Sequence, residues 1–291
     1  MIKRNPLVLD FDGSVGDIPG ATVLPLSDWQ EDIRFGCTLR TFARLERHLD
    51  ASIEDDYGTV LMGSGDYHHL TWPLVKRQRL RGPFQLVVFD NHPDNMRFPL
   101  GIHCGSWVRK VALLPYVTHV HVVGITSGDI GAAHAWENYL RPLRAGKLSY
   151  WSMDVDVGWA RKLGLAHAFR RFDDPDSLTR AMVDQLELAP QPTYLSIDKD
   201  AFSVTTARTN WDQGRIEERH GMAIIAALRG QIIASDINGE VSAYHYRTWW
   251  KRLLSGMDGQ EPVPQAELDA WQAQQRALNT RLLAAIAQSS V

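Results

Sequence analysis

Two stretches of this sequence end an apolar run directly in a group of acids. Leu86-Val87-Val88-Phe89 leads into Asp90-Asn91-His92-Pro93-Asp94, and Tyr194-Leu195-Ser196-Ile197 leads into Asp198-Lys199-Asp200. Two further runs end similarly: Thr59 to Met62 runs into Gly63-Ser64-Gly65-Asp66-Tyr67-His68-His69, and Ile232 to Ala234 leads to Asp236 and then Glu240. Gathered in a partly buried cleft, Asp90, Asp94, Asp198 and Asp200 would repel one another, and burying unpaired carboxylates is costly or forces protonation. Two divalent cations would balance that charge. Carboxylates with a few imidazoles and no thiolate form a hard-to-borderline donor set that favours Mn²⁺, with Fe²⁺, Ni²⁺ or Zn²⁺ compatible. Two ions about 3.5 to 4 Å apart lower the pKa of a shared water and polarise the bond it attacks, which is hydrolytic chemistry at neutral pH.

The elements that must position these groups can be read from the apolar pattern. Seven short runs are of strand length: Leu7 to Leu9, Thr59 to Met62, Gln85 to Phe89, His119 to Val123, Leu148 to Met153, Thr193 to Ile197 and Gln231 to Ala234. Several are apolar on consecutive residues, the pattern of strands covered on both faces and paired in parallel. Helical periodicity separates them. It places Leu39, Phe42, Leu45 and Leu49 on one face of Thr38 to Leu49, and recurs over Ser177 to Leu188, with Asp176 as its N-cap, and over Gly221 to Leu228. A last helix, at about 264–288, carries Leu268, Trp271, Gln275, Leu278, Leu282 and Ile286 on one stripe, expected to pack on its own domain. Alternating strands and helices predict an α/β fold, a three-layer α/β/α arrangement with a mainly parallel sheet, as one domain over residues 1–291. Ligands of such sheets bind beyond the carboxyl ends of the strands, where the acids fall. A straight strand would spread Asp90 and Asp94 by roughly 13 Å, so the chain must curl after Asp90, and Pro93 suits the bend.

Composition narrows the partners. With 291 residues, 44% hydrophobic and 22% charged, the chain can bury a full core. Thirty-one basic residues against 34 acidic ones are scattered and predict no nucleic-acid face. Two cysteines, Cys37 and Cys104, are too few for a disulfide framework. No run of about 18 apolar residues predicts a membrane span, and the start of the sequence lacks the apolar segment of a secretory signal, so a cytoplasmic location is expected.

Taken in order, the motifs resemble those of the ureohydrolase family: arginase, agmatinase and formiminoglutamase. Those proteins carry a Gly-Gly-Asp-His segment, an Asp-x-His-x-Asp segment, a His-Gly loop, a Ser-x-Asp-x-Asp segment and a late Asp-x-x-Glu. This chain offers counterparts of all five, in that order, over residues 63–240. The resemblance implies that Asp90, Asp94 and Asp198, with His68 or His69, bind one metal ion, and that Asp90, His92, Asp198 and Asp200 bind the second, Asp90 and Asp198 bridging. It further implies a metal-bridging hydroxide, oriented by Asp94, that attacks the C–N carbon of a guanidino, amidino or formimino compound. His103 would assist departure of the amine, Glu240 would hold the cationic group of a small-molecule substrate, and the protein would form trimers or hexamers. His68 is preferred to His69 in a first motif lengthened by one residue.

Other departures are visible. Asp200 is followed by Ala201-Phe202-Ser203, and Asp236 to Glu240 is one residue longer than the family pattern. The Asp94 to His103 loop, shorter than in arginase, points to a different substrate. Three local alternatives compete. Leu9-Asp10-Phe11-Asp12-Gly13 resembles the first motif of haloacid dehalogenase phosphatases, in which Asp10 would attack phosphorus and Asp12 act as acid and base; no later lysine and paired-acid motif accompanies it. Asp154-Val155-Asp156 mimics the acidic pair but comes too early. A deacetylase-like amide hydrolase would use one metal ion, and would not need both Asp94 and Asp200.

Overall fold

The computed structural model describes residues 4–54, 56–257 and 263–291, so residues 1–3 of the start of the sequence lie outside it. Nine strands form one sheet: β1 (Leu7–Asp10), β2 (Thr22–Pro25), β4 (Val60–Leu61), β5 (Phe84–Phe89), β7 (Val117–Ile125), β8 (Leu148–Met153), β9 (Phe169–Phe172), β10 (Thr193–Asp198) and β11 (Ile232–Asn238). Their order is β2-β1-β4-β11-β10-β5-β7-β8-β9, and every neighbouring pair is parallel. A separate antiparallel pair joins β3 (Gly36–Cys37) to β6 (Ile102–His103).

All seven expected strands are present. The two additional strands of the main sheet are its edges: β2 is largely exposed, and β9 turns Arg170 and Arg171 outward. An edge strand covered on one side lacks the continuous apolar run that betrays its inner neighbours.

Five helices among the described residues have nine residues or more: α1 (Leu39–Ser52), α2 (Pro175–Leu188), α3 (Glu218–Ala227), α4 (Trp249–Met257) and α5 (Gln265–Ser289). Thr38 caps α1 by accepting the Thr41 N–H, and α1 buries Phe42, Leu45 and Leu49 while Leu39 stays exposed. The cap of α2 is Asp174 and not the expected Asp176. Its Oδ1 accepts the Ser177 N–H at 2.7 Å and Pro175 fills the first turn, where a missing N–H costs nothing. On α5, Gln275, Leu278, Leu282 and Ile286 are buried, Leu268 and Trp271 half-buried, and the helix packs on α3 and β11.

Successive strand residues face opposite layers. Leu86 and Val88 join one core, with Phe42, Leu45 and Leu49 of α1; Val87 and Phe89 join the other, with Leu178 and Met182 of α2, Ile224 and Ile225 of α3, and Leu278 and Leu282 of α5. The fold is therefore a three-layer α/β/α sandwich. Among the described residues no helix is long and apolar enough to cross a membrane.

The topology gathers the acidic segments. Strands β10 and β11 insert between β4 and β5, so β4, β11, β10 and β5 are adjacent and parallel. Their carboxyl ends carry, in that order, the His68 turn, Gly239-Glu240, Asp198 to Asp200 and Asp90 to Asp94.

Candidate metal centre

Each acid-bearing turn is shaped by its own side chains. After β5 the chain curls as the spacing required: Asp90 Oδ1 accepts the His92 N–H at 2.7 Å, and Asp94 adopts a left-handed backbone with φ 45°, a conformation a short polar side chain tolerates. After β10, Asp198 Oδ1 accepts the Asp200 N–H at 3.2 Å, and Asp200 Oδ1 accepts the Asn91 N–H at 3.0 Å, tying the two turns together. His68 lies on a short 3-10 helix, Gly65–Leu70. Arg34, 1% exposed, holds that helix: its Nε donates to Asp66 Oδ2 at 2.6 Å, and its other nitrogens reach Asp12, Ser64 and Ser242.

The resulting cluster has two parts. His68 Nδ1 lies 3.3 Å from Asp90 Oδ2, 3.0 Å from Asp94 Oδ2 and 3.3 Å from Asp198 Oδ2. His92 Nδ1 lies 3.0 Å from Asp200 Oδ2 and 3.6 Å from Asp90 Oδ1. Asp90 thus offers one oxygen to each part, and the two compact donor groups, His68 with Asp90 and Asp94 and His92 with Asp90 and Asp200, share it.

Outer partners orient these side chains. His68 Nε2 sits 3.0 Å from Ser196 Oγ, and Ser196 donates its hydroxyl to Asp236 at 2.7 Å, so His68 donates through Nε2. In the neutral ring the Nδ1 lone pair then faces three carboxylate oxygens, an arrangement that calls for a cation between them. His92 Nε2 lies 2.7 Å from Asp212 Oδ1, and Trp107 Nε1 donates to Asp94 Oδ2 at 2.5 Å.

The titration pattern reflects the same crowding. Burial alone would lower the pKa of His68, but Asp90, Asp94 and Asp198 raise it well above the ordinary histidine range; Asp200 and Asp212 do the same for His92 against the pull of burial. Burial followed by Asp90 pushes Asp94 up to about 7. Burial and Asp200 raise Asp198, and burial and Asp90 raise Asp200. Asp90 goes the other way: His68 and His92 overcome its burial and bring it to about 2. Protons on the imidazoles and on Asp94 occupy the electrostatic place that divalent ions fit.

The cluster forms the floor of a cavity of about 390 Å³. Met96, His103, Cys104, Ser127 and Trp211 line its walls, and Asp129, His134, Glu137 and Asp212 add four more polar groups that local sequence patterns did not single out. His103 Nδ1 accepts the Gly105 N–H at 3.0 Å, which leaves the ring hydrogen on Nε2, and burial followed by Arg109 pushes its pKa down to about 3.

Two of the expected site residues lie elsewhere. His69 is buried against the ring of Phe42 and does not line the cavity, because adjacent residues of a 3-10 turn point about 120° apart. Glu240 is 1% exposed, forms a buried ion pair with Lys199, and accepts from Asn279 at 2.8 Å. It does not line the cavity either, so the guanidinium-holding position expected for it is not where this structure puts its carboxylate. Asp12 is committed to Arg34, Ser14 and Ser242, and Asp10 accepts from Gly13 in a turn at the end of β1, an inner strand between β2 and β4 and not a sheet edge. Asp154 pairs with Arg215, and Asp156 accepts the Gly158 N–H.

Comparison with known proteins finds relatives over most of the chain. An uncharacterized protein from Thermotoga maritima is 25% identical over 255 residues, covering 86% of this chain and 85% of its own. Among solved structures, proclavaminate amidino hydrolase from Streptomyces clavuligerus superposes with a TM-score of 0.56 at 15% identity, covering 99% of this chain and 93% of that one. Formimidoylglutamase from Bacillus subtilis gives a TM-score of 0.57 at 12% identity, covering 98% and 87%. Both share the fold. The family model described as the Arginase family matches residues 14–243, and this chain belongs to the arginase family.

Proposed function

We propose that the protein is a binuclear metal-dependent hydrolase acting on a C–N bond of a small guanidino, amidino or formimino cation. The observation that carries this reading is the sharing of Asp90: one oxygen joins the His68 group and the other the His92 group, at the floor of a cavity. A single-metal amide hydrolase would have no use for the second group.

His68, Asp94, Asp90 and Asp198 would hold one ion, and His92, Asp200, Asp90 and Asp198 the other, with Mn²⁺ the expected metal. When bound, the two ions would lower the pKa of a shared water and polarise the substrate. The protein's own groups supply the remainder. Trp107 fixes the Asp94 carboxylate through its indole N–H, and Ser196 and Asp236 fix the tautomer of His68. His103 would hydrogen-bond the departing nitrogen through Nε2–H, since its Nδ1 is engaged by Gly105.

The cavity walls speak to the substrate. Asp129, Glu137 and Asp212 add further acids to its lining, and among the described lining residues there is no Lys or Arg. A cationic or neutral tail fits that charge; a carboxylate tail would meet three acids, with only His134, already paired with Glu137, to offset them.

The test is metal analysis of wild type and Asp90→Asn, followed by a screen for release of urea, ammonia or amine from guanidino, amidino and formimino compounds. Two divalent ions per wild-type chain, loss of metal and turnover in the variant, and product release from a cationic compound are expected. Undiminished metal content in Asp90→Asn would overturn the reading.

A further inference from the structure

The buried pair Lys199–Glu240 lies outside the cavity, yet Lys199 stands between the two acids Asp198 and Asp200. Lys199 is 0% exposed and Glu240 1% exposed. Burying an ion pair rarely adds net stability over well-packed apolar residues, so such a pair calls for another use, most often to fix a register. Its surroundings indicate what is fixed.

The turn that carries Glu240 is held from one side by α5. Gln275, 0% exposed, donates from Nε2 to the Gly239 carbonyl at 2.8 Å and accepts the Val241 N–H at 2.7 Å. One helical turn later Asn279, also 0% exposed, donates to Glu240 Oε1 at 2.8 Å. On the other side the turn presses on the end of β10. A Cβ on Gly239 would fall 2.4 Å from Asp198 Oδ1 and 2.6 Å from the Lys199 backbone nitrogen, and Gly239 has φ 88°. The carboxylate oxygen of Asp198 that faces away from His68 is thus walled by this backbone.

We propose that Lys199 and Glu240 are positioning residues that, with Gln275 and Asn279 of α5, clamp the Asp198–Asp200 turn in its metal-binding geometry. The C-terminal helix is by this account part of the support of the metal centre, and Glu240 serves the metal and not the substrate. The inference rests on the metal-centre reading above. Ordering ligands before the ion arrives raises affinity, and removing a group that orients a ligand typically costs 10- to 100-fold in metal affinity.

Three proteins test it: wild type, Lys199→Met/Glu240→Gln, which removes both charges and keeps an acceptor for Asn279, and Asn279→Leu, which leaves the ion pair in place and cuts its link to α5. Mn²⁺ binding is followed by the electron paramagnetic resonance signal of the free ion, and thermal unfolding is recorded with and without Mn²⁺. The expected result is a Kd at least about tenfold weaker in the double variant and several-fold weaker in Asn279→Leu, with a smaller rise in Tm on adding Mn²⁺ in both. A purely structural pair would lower both Tm values together and leave the rise unchanged; that outcome, with unaltered Kd in whichever variants fold, overturns the proposal. Wild type that binds no Mn²⁺ would overturn the metal-centre reading itself, so the two failures are distinguishable.

Discussion

Replacing Gly239 by Ala tests how tightly the support is built. The added methyl would lie 2.4 Å from Asp198 Oδ1, 2.6 Å from Lys199 N and 3.0 Å from Lys199 Cβ, whereas ordinary contacts to such a carbon begin near 3.4 Å. Something must move by about 1 Å, and overpacking of that kind costs about 1–3 kcal/mol. The backbone adds its own term, since φ is 88° and an L-residue held in the left-handed region loses about 1–2 kcal/mol. The sum is about 2–5 kcal/mol, unless the Asp198 carboxylate yields, in which case the cost appears as lost metal affinity.

Gly230 separates the two terms. Its φ is 72°, and a Cβ there would meet nothing within 4 Å, so Gly230→Ala carries the backbone cost alone, about 1–2 kcal/mol. At this chain length 1 kcal/mol corresponds to about 2 °C. Calorimetry of the metal-free proteins is therefore expected to show Tm lowered by about 2–4 °C in Gly230→Ala and by about 4–10 °C in Gly239→Ala, with weakened Mn²⁺ binding in the second alone. Equal Tm shifts and equal Mn²⁺ affinities in the two variants would refute the close packing of Gly239 on Asp198.

Three further outcomes follow from the same contacts. His103→Ala is expected to lose about 100-fold in turnover while retaining two metal ions per chain; wild-type turnover would remove His103 from the reaction. Arg34→Met leaves Asp12 and Asp66 buried without their guanidinium, at a cost of about 3–5 kcal/mol in denaturant unfolding, and a change under 1 kcal/mol would show that the pair is relaxed by other contacts. Glu31 is drawn below its ordinary range to about 2 because Thr248, Tyr244 and Arg247 overcome its burial. A depressed carboxylate contributes stability that is present above its unfolded pKa, near 4.5, and is lost as the pH falls toward 2. Wild type should therefore lose more Tm than Glu31→Gln across that window, and parallel pH profiles would contradict it.

What the sequence displayed was whatever depends on neighbours in the chain. The runs at Gln85 to Phe89 and Thr193 to Ile197 are apolar on consecutive residues because both faces of an inner strand are covered, and that composition is visible without a structure. The ordered acids after them placed four segments on one rim. The choice between His68 and His69 was not visible, because it depends on Ser196, which lies 128 residues away and meets only one of the two rings. Asp129 lies on a single 3-10 turn, Gly128–Ile130, and Glu137 and Asp212 on irregular segments, whose paths no periodicity records. Glu240 shows the limit most clearly. Its place in the order of motifs suggested a substrate contact, but the side chain follows Lys199 and Asn279, one supplied by β10's terminal turn and the other by a helix whose docking is a tertiary fact. Asp174 was legible in principle: Pro175 after it marks the first helical position, and that signal outranks Asp176.

The balance of buried charge favours two ions over one. Three cations are at most 2% exposed among the described residues: Arg34, Lys199 and Lys251. Arg34 is directed to Asp66 and Asp12, Lys199 to Glu240, and Lys251 to the backbone carbonyls of Glu31, Asp32 and Arg34. None of them pairs with Asp90, Asp94, Asp198 or Asp200, each of which is at most 4% exposed. Four aspartates held together without a protein cation need compensation from outside the chain, and the imidazoles beside them are neutral whenever they act as metal donors. One divalent ion would leave two carboxylates uncompensated in a site where burial already raises Asp94, Asp198 and Asp200. Two ions, as proposed above, would match the four charges, and Asp90, with an oxygen in each donor group, would let them share a floor.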